Sequence, residues 1–104
     1  MDARDVILHL FENERLRRVL IQLYEGKKSF TALRGEARVG SNATLSRDLE
    51  FLDSAGLIVN IFQRTDEGSY SYYELNSYGK RVAQIVLELE RTLDKKLGET
   101  LVAQ

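Results

Sequence analysis

Apolar residues recur along this chain with two periods, and the change from one to the other divides it into elements. Val6, Ile7, Leu10 and Phe11 share one face of a short helix over residues 3–11. Leu16, Val19, Leu20, Leu23 and Tyr24 form the stripe of a second segment, which Asn13 can cap and Gly26 can stop. The pattern leaves open whether residues 3–24 are two helices or one bent helix. Ser29 caps a compact helix from Phe30 to about Arg38, with Phe30, Leu33 and Ala37 facing inward. Gly35 costs that helix about 1 kcal/mol relative to alanine, which points to close approach by a neighbouring helix. After a Val39-Gly40 turn, Ser41 or Asn42 caps another helix, whose Leu45, Leu49 and Leu52 are spaced for burial and which ends at Gly56.

The helical spacing then gives way to a run of high β-propensity, Leu57 to Gln63. Arg64 to Ser69 read as a polar turn, and Tyr70 to Leu75 return as the second strand of a hairpin. Asn76 caps a final helix over residues 77–97, with Val82, Ile85, Val86, Leu89, Leu93 and Leu97 on its apolar face. Gly98 is expected to end it, leaving residues 99–104 as a short fraying tail. Counting residues 3–24 as one unit, the order is helix, helix, helix, hairpin, helix. The fold class is mainly α with a small β-hairpin, and 104 residues suit a single domain over residues 1–104.

Composition removes several kinds of chemistry. The absence of cysteine excludes disulfides, thiolate metal sites and thiol catalysis. His9 is the lone histidine and sits between Leu8 and Leu10, as a helix-surface or interface residue does. No carboxylates are spaced to converge, and no glycine-rich phosphate loop occurs. The chain therefore reads as a protein that is not an enzyme and holds no cofactor or metal. No apolar run approaches the length of about 18 residues that spans a membrane. Asp2 and Asp5 are wrong for a secretory signal, so a cytoplasmic protein is expected.

A formal net charge of -1 is unlike the usual basic nucleic-acid binder, but the charges are unevenly distributed. Between Lys27 and Arg47, five cations (Lys27, Lys28, Arg34, Arg38 and Arg47) face Glu36 alone. With the leucines of the helix starting near Ser41 turned inward, Thr44, Ser46 and Arg47 project outward, and Ser41, Asn42 and Ala43 lie at its N-terminal end. That end offers free N–H groups to a phosphate. Arg47 can fork onto a guanine edge and Thr44 can meet a base. Ser41 and Asn42 also have a plain role as caps. Lys27, Lys28, Ser29 and Arg34 are placed for backbone contacts, while Arg64 and Ser69 belong to the hairpin loop. Glu50 and Asp53 repel phosphate and belong away from the groove. Tyr70, Tyr72, Tyr73 and Tyr78 suit packing first, with a small cavity, a dimer contact or base stacking as other uses. The last helix carries more apolar surface than one small domain needs, so residues 77–97, with 3–11, are expected to form a homodimer interface.

The run TLSRDLEFLDSAGLIVNIF resembles the recognition helix, the small-Gly-Leu-Ile step and the first wing strand of prokaryotic winged helix-turn-helix regulators of the MarR/HxlR/PadR/ArsR kind. YYELNSYGKRV resembles their returning wing strand and last helix, and KKSFTALRGEARV the helix before the recognition helix. The similarity covers about residues 13–97. It implies a homodimer that binds palindromic double-stranded DNA to regulate transcription, as a repressor, with Ser41–Ala55 as recognition helix. Two departures stand out. The turn RVGSNATL is one residue longer than the usual pattern, which leaves open whether the base-reading positions slip by one, and the recognition helix has one arginine and several acids, fewer cations than many relatives. The alternative is a winged-helix protein-interaction module without direct DNA binding. Nothing in the sequence points to a small-molecule effector.

Overall fold

A computed structural model describes the backbone of residues 1–103 and the side chains of residues 1–98. Helix α1 spans Ala3–Glu12 and α2 spans Glu14–Tyr24. They are two helices because Asn13 between them is extended (φ -125°, ψ 97°) and its side chain accepts the Leu16 N–H at 3.2 Å. Asp2 and Asp5 form a capping box at the start of α1: Asp2 accepts the Asp5 N–H at 3.0 Å, and Asp5 accepts the Asp2 N–H at 3.5 Å.

The next element was not foreseen. Lys28–Ser29 form a two-residue strand, β1, antiparallel to β3 (Gly68–Leu75), with Lys28 opposite Tyr73 and Ser29 opposite Tyr72. With β2 (Ile58–Thr65) the sheet has three strands in the order β1-β3-β2. Between β1 and β2 lie α3 (Phe30–Glu36) and α4 (Asn42–Ser54), capped by Ser29 and Ser41 respectively. Ser41, not Asn42, is the cap of α4, its Oγ accepting the Thr44 N–H at 3.2 Å.

Two boundaries differ from expectation. The hairpin turn is only Asp66–Glu67: Thr65 pairs with Gly68 and Arg64 with Ser69, so Arg64 and Ser69 are strand residues. Polar side chains do not interrupt a ladder that is exposed on both faces, and Gly68 at φ 144° lets the strand resume immediately. The last helix, α5 (Ser77–Ala103), runs straight through Gly98. A single glycine weakens a helix interior by about 1 kcal/mol but does not by itself end it. Of the expected fraying tail, residue 104 lies outside the described residues.

All the elements except β1 supply the buried cluster. Leu10 comes from α1, Leu16, Val19, Leu20 and Leu23 from α2, Leu33 from α3, and Leu45, Leu49 and Leu52 from α4. The sheet adds Ile58 and Leu75, and α5 adds Ala83 and Val86. Each fully buried leucine contributes roughly 1.5–3 kcal/mol relative to exposure. Gly35, expected at a helix contact, has open space where a Cβ would go. The close approach is at Gly79, where a Cβ would run into the Leu57 carbonyl oxygen and sit 3.1 Å from the Leu75 side chain. Asn76 fastens the same corner. Its side chain donates to the Gly56 carbonyl at 2.6 Å and accepts the Gly79 N–H at 2.8 Å, while its own N–H meets the Leu57 carbonyl at 3.0 Å. One residue thereby joins the end of α4, the root of the hairpin and the start of α5.

Among the described residues no helix is long and apolar enough to cross a membrane.

Candidate nucleic-acid interface

Burial divides α4 into two sides. Leu45, Asp48, Leu49 and Leu52 are buried, whereas Asn42, Ala43, Ser46, Arg47 and Glu50 are exposed and Thr44 is half-buried. The outward set therefore contains the base-reading residues expected from the leucine stripe. Ser41 and Thr44 are already partnered, their hydroxyls 2.9 Å apart across the first turn. Asn42, Ser46 and Arg47 make no side-chain hydrogen bond among the described residues.

The cations of the first half fall into two groups. One group is committed to the scaffold. Lys28 has its ammonium 2.6 Å from Glu36 and 3.8 Å from Glu25, with its side chain largely buried. Arg34 donates to the Val39 carbonyl at 3.3 Å and to the Gly40 carbonyl at 3.1 Å. Arg18 reaches the same turn from α2, donating to Ala37 at 2.9 Å and Arg38 at 3.4 Å. Lys28 and Arg34, expected on phosphates, are thus structural ties of the helix-turn-helix corner. Ser29 likewise serves as the cap of α3. The other group is available: Arg38 and Arg47 are exposed and unpaired among the described residues, as is Arg64, and Lys27 lies over the Tyr72 ring at 5.2 Å.

Strand register orients the hairpin. Ile58 and Leu75 are opposite one another and buried in the core. Side chains alternate between sheet faces, so Asn60 with Tyr73, Phe62 with Ser71, and Arg64 with Ser69 share that face. Asn60 and Tyr73 line an open cleft of about 250 Å³ with Ser46, Glu50 and Asp53 of α4. Arg64 and Ser69 consequently stand near the hairpin tip on the side that faces α4.

Asp48 was missed. It is 5% exposed and accepts both N–H groups of an Arg15 fork, at 2.8 Å and 3.0 Å. The hydrogen bond to Asp48 holds the Arg15 guanidinium above its usual pKa, opposed by its partial burial and helped by the carboxylate charge. The signal was in the sequence: positions 45, 48, 49 and 52 are the i, i+3, i+4, i+7 set of one buried face. Which arginine would answer the buried acid was not legible.

The predicted dimer stripe also divides. Val86 is buried in the core and Val82 packs against it, so those two belong to the domain itself. Ile85, Leu89, Leu93 and Leu97 are exposed by 47%, 38%, 51% and 61%, and Ile7, Leu8 and Phe11 of α1 are exposed as well. Arg17 joins these two helices. It donates to the carbonyls of Leu10 at 2.8 Å and Phe11 at 2.9 Å, and to Glu90 of α5 at 3.0 Å. His9 lies on the helix surface with its ring 4.7 Å from that of Phe51, joining α1 to α4.

Solved structures of other proteins share this architecture. The transcriptional regulator ytfH from Salmonella typhimurium superposes with a TM-score of 0.76 at 22% identity, over 96% of this chain and 88% of its own. The regulator YodB from B. subtilis, in its reduced form, gives 0.76 at 16% identity, over 91% and 93%. A PadR family transcription regulator from Clostridium difficile R20291 gives 0.68 at 17%, over 83% and 97%. These likenesses establish the fold as a winged helix-turn-helix, in which the β2–β3 hairpin is the wing. No curated protein matches the chain by sequence. The sequence pattern of the HxlR-like helix-turn-helix family does match, over residues 13–100, and the chain belongs to that family of DNA-binding transcriptional regulators.

Proposed function

We propose that the protein is a homodimeric repressor that reads a palindromic double-stranded site with α4 and occludes a promoter. The observation that carries this reading is the outer side of α4: a capped N-terminus, exposed Asn42, Ala43 and Ser46, and an Arg47 with no side-chain partner among the described residues. Arg47 reads a base edge, Ser46 and Thr44 flank it, and the N–H groups after Ser41 meet a phosphate. Arg38, Lys27 and the wing residues Arg64 and Ser69 supply the positioning contacts. Lys28 and Arg34 hold the corner that aims them.

The dimer reading is supported by α5. At 1.5 Å per residue its 27 residues extend about 40 Å. Every described side chain from Arg91 to Leu97 is exposed. A helix segment with a bare leucine edge is marginal alone in water and is stabilised by a partner. Ile85, Leu89, Leu93 and Leu97, with Ile7, Leu8 and Phe11, form that interface. Twofold symmetry then sets two α4 helices about 34 Å apart, one turn of DNA.

Selection of duplexes from random DNA, followed by fluorescence anisotropy, tests the proposal. Enrichment of an inverted repeat by a protein that sediments as a dimer is the expected result. Failure to enrich any sequence, with no salt-dependent binding to random duplex, moves the function to a winged-helix protein-interaction module.

A further inference from the structure

The most deeply buried charged side chain lies on the helix assigned to base reading. Asp48 sits among Leu45, Leu49 and Leu52, and its two carboxylate oxygens each accept one N–H of Arg15 from α2. The remaining polar ties of this corner stop short of α4. Arg18 and Arg34 hold the carbonyls of residues 37–40, and the Ser41–Thr44 contact is local to the first turn. Among the described residues, the Arg15 fork is the only hydrogen bond that enters α4 from another element through a side chain.

Leucine contacts resist separation but have little preference for angle, because the hydrophobic effect is non-directional. A helix held only by apolar contacts, Leu45, Leu49 and Leu52 with Phe51 beside them, is less firmly fixed in roll than one that also carries a directional tie. Two parallel hydrogen bonds between planar groups fix distance and orientation together. Arg47 is the residue immediately before Asp48 in the chain. A roll of about 20° moves a side-chain group roughly 6 Å from the helix axis by about 2 Å, enough to lose a bidentate base contact.

We infer that the Arg15–Asp48 fork is a positioning pair that sets the roll of α4 and so determines sequence discrimination by Arg47. The inference rests on α4 being the recognition helix, as proposed above. The fork also neutralises a carboxylate on a helix that must approach phosphates. That second effect alone would govern affinity for any duplex equally, so the two are separable.

The test uses the full chain and two conservative variants. Arg15→Lys keeps the charge and loses the fork; Asp48→Asn keeps the shape and loses the charge. Affinity is measured for the duplex selected by the wild type and for a scrambled one, at one salt concentration and a temperature at which melting curves show every variant folded. The expected result is a fall of about 10-fold in the selected-to-scrambled ratio for each variant, the worth of one bidentate contact. Lost stability alone scales both affinities together and leaves the ratio unchanged. An unchanged ratio in both folded variants overturns the inference while the DNA reading stands. A uniform gain for both duplexes with Asp48→Asn likewise overturns it, leaving charge neutralisation as the role. If the wild type selects no duplex, the inference falls with the reading it rests on.

Discussion

The two helices of the helix-turn-helix end in the same hydrogen-bond pattern but with different residues. At the end of α3, the Val39 N–H meets the Arg34 carbonyl at 2.9 Å and the Arg38 N–H meets the Gly35 carbonyl at 3.2 Å. At the end of α4, the Leu57 N–H meets Leu52 at 3.0 Å and the Gly56 N–H meets Asp53 at 2.9 Å. Both are Schellman closures with a left-handed residue at the pivot, Arg38 at φ 55° and Gly56 at φ 74°. The left-handed region costs a residue with a Cβ about 1–2 kcal/mol, and glycine avoids that cost. At the root of the wing the chain uses glycine, backed by Gly79 and Asn76. At the turn leading into α4 it tolerates strain and places an exposed cation. Strain of this kind gathers where a side chain is needed for contact. The corner at the wing root is rigid; the corner leading into α4 leaves a cation exposed, the one proposed above to meet a phosphate.

The most severe way to break the rigid corner is Gly79→Ala. Its Cβ meets backbone at Leu57, which cannot rotate away as a side chain does. The expected loss is about 1–3 kcal/mol, as for other overpacking changes. Urea unfolding of the variant beside Gly35→Ala supplies the contrast. Gly35 faces open space on α3, so alanine there should be neutral or stabilise by up to about 1 kcal/mol. Equal midpoints for the two variants would show that α5 does not bear on the wing root.

Exchanging the pivots sharpens the comparison further. A Cβ added at Gly56 would meet no neighbour, so the expected cost of Gly56→Arg is that of its left-handed backbone, about 1–2 kcal/mol. Arg38→Gly relieves the same strain and should raise stability by about 1 kcal/mol. It should also weaken DNA binding, since the cation is lost. Thermal melts and anisotropy on the same samples check both signs. A variant that becomes more stable and binds DNA as before would show that Arg38 is only an imperfect cap.

What the sequence disclosed and what it hid follow from the range of the interactions. Caps at Asn13, Ser29 and Asn76 were legible because each acts on N–H groups two or three residues away. The α4 leucines were legible because periodicity is local. Strand β1 was not: two residues carry no period, and Lys28–Ser29 become a strand only because Tyr72 and Tyr73 lie beside them. The same distance in sequence concealed the partners of Lys28, Arg34 and Asp48, so two of the five cations in one basic stretch are tied into the fold. The two glycines Gly35 and Gly79 differ for a related reason. A cost at Gly35 can be seen from sequence, but the contact that makes a glycine necessary depends on a carbonyl 22 residues from Gly79.

The smallest stability effect expected is at the wing tip, and it separates contact from structure most cleanly. Arg64 is exposed, pairs through its backbone with Ser69, and has no side-chain partner among the described residues. Arg64→Ala should therefore leave stability within about 0.5 kcal/mol of the parent. If Arg64 meets a phosphate, the slope of log affinity against log salt falls by about 0.9 per wing, close to 2 for a dimer bound as a unit. A titration on the selected duplex between about 50 and 200 mM salt reads that slope directly. A fall near 1 would place one wing on the backbone, and an unchanged slope would leave the wing free of it. Arg38→Gly measured in the same series gives the comparison its sharpest form. Both variants remove one cation per protomer, but only Arg38→Gly also changes how the chain folds.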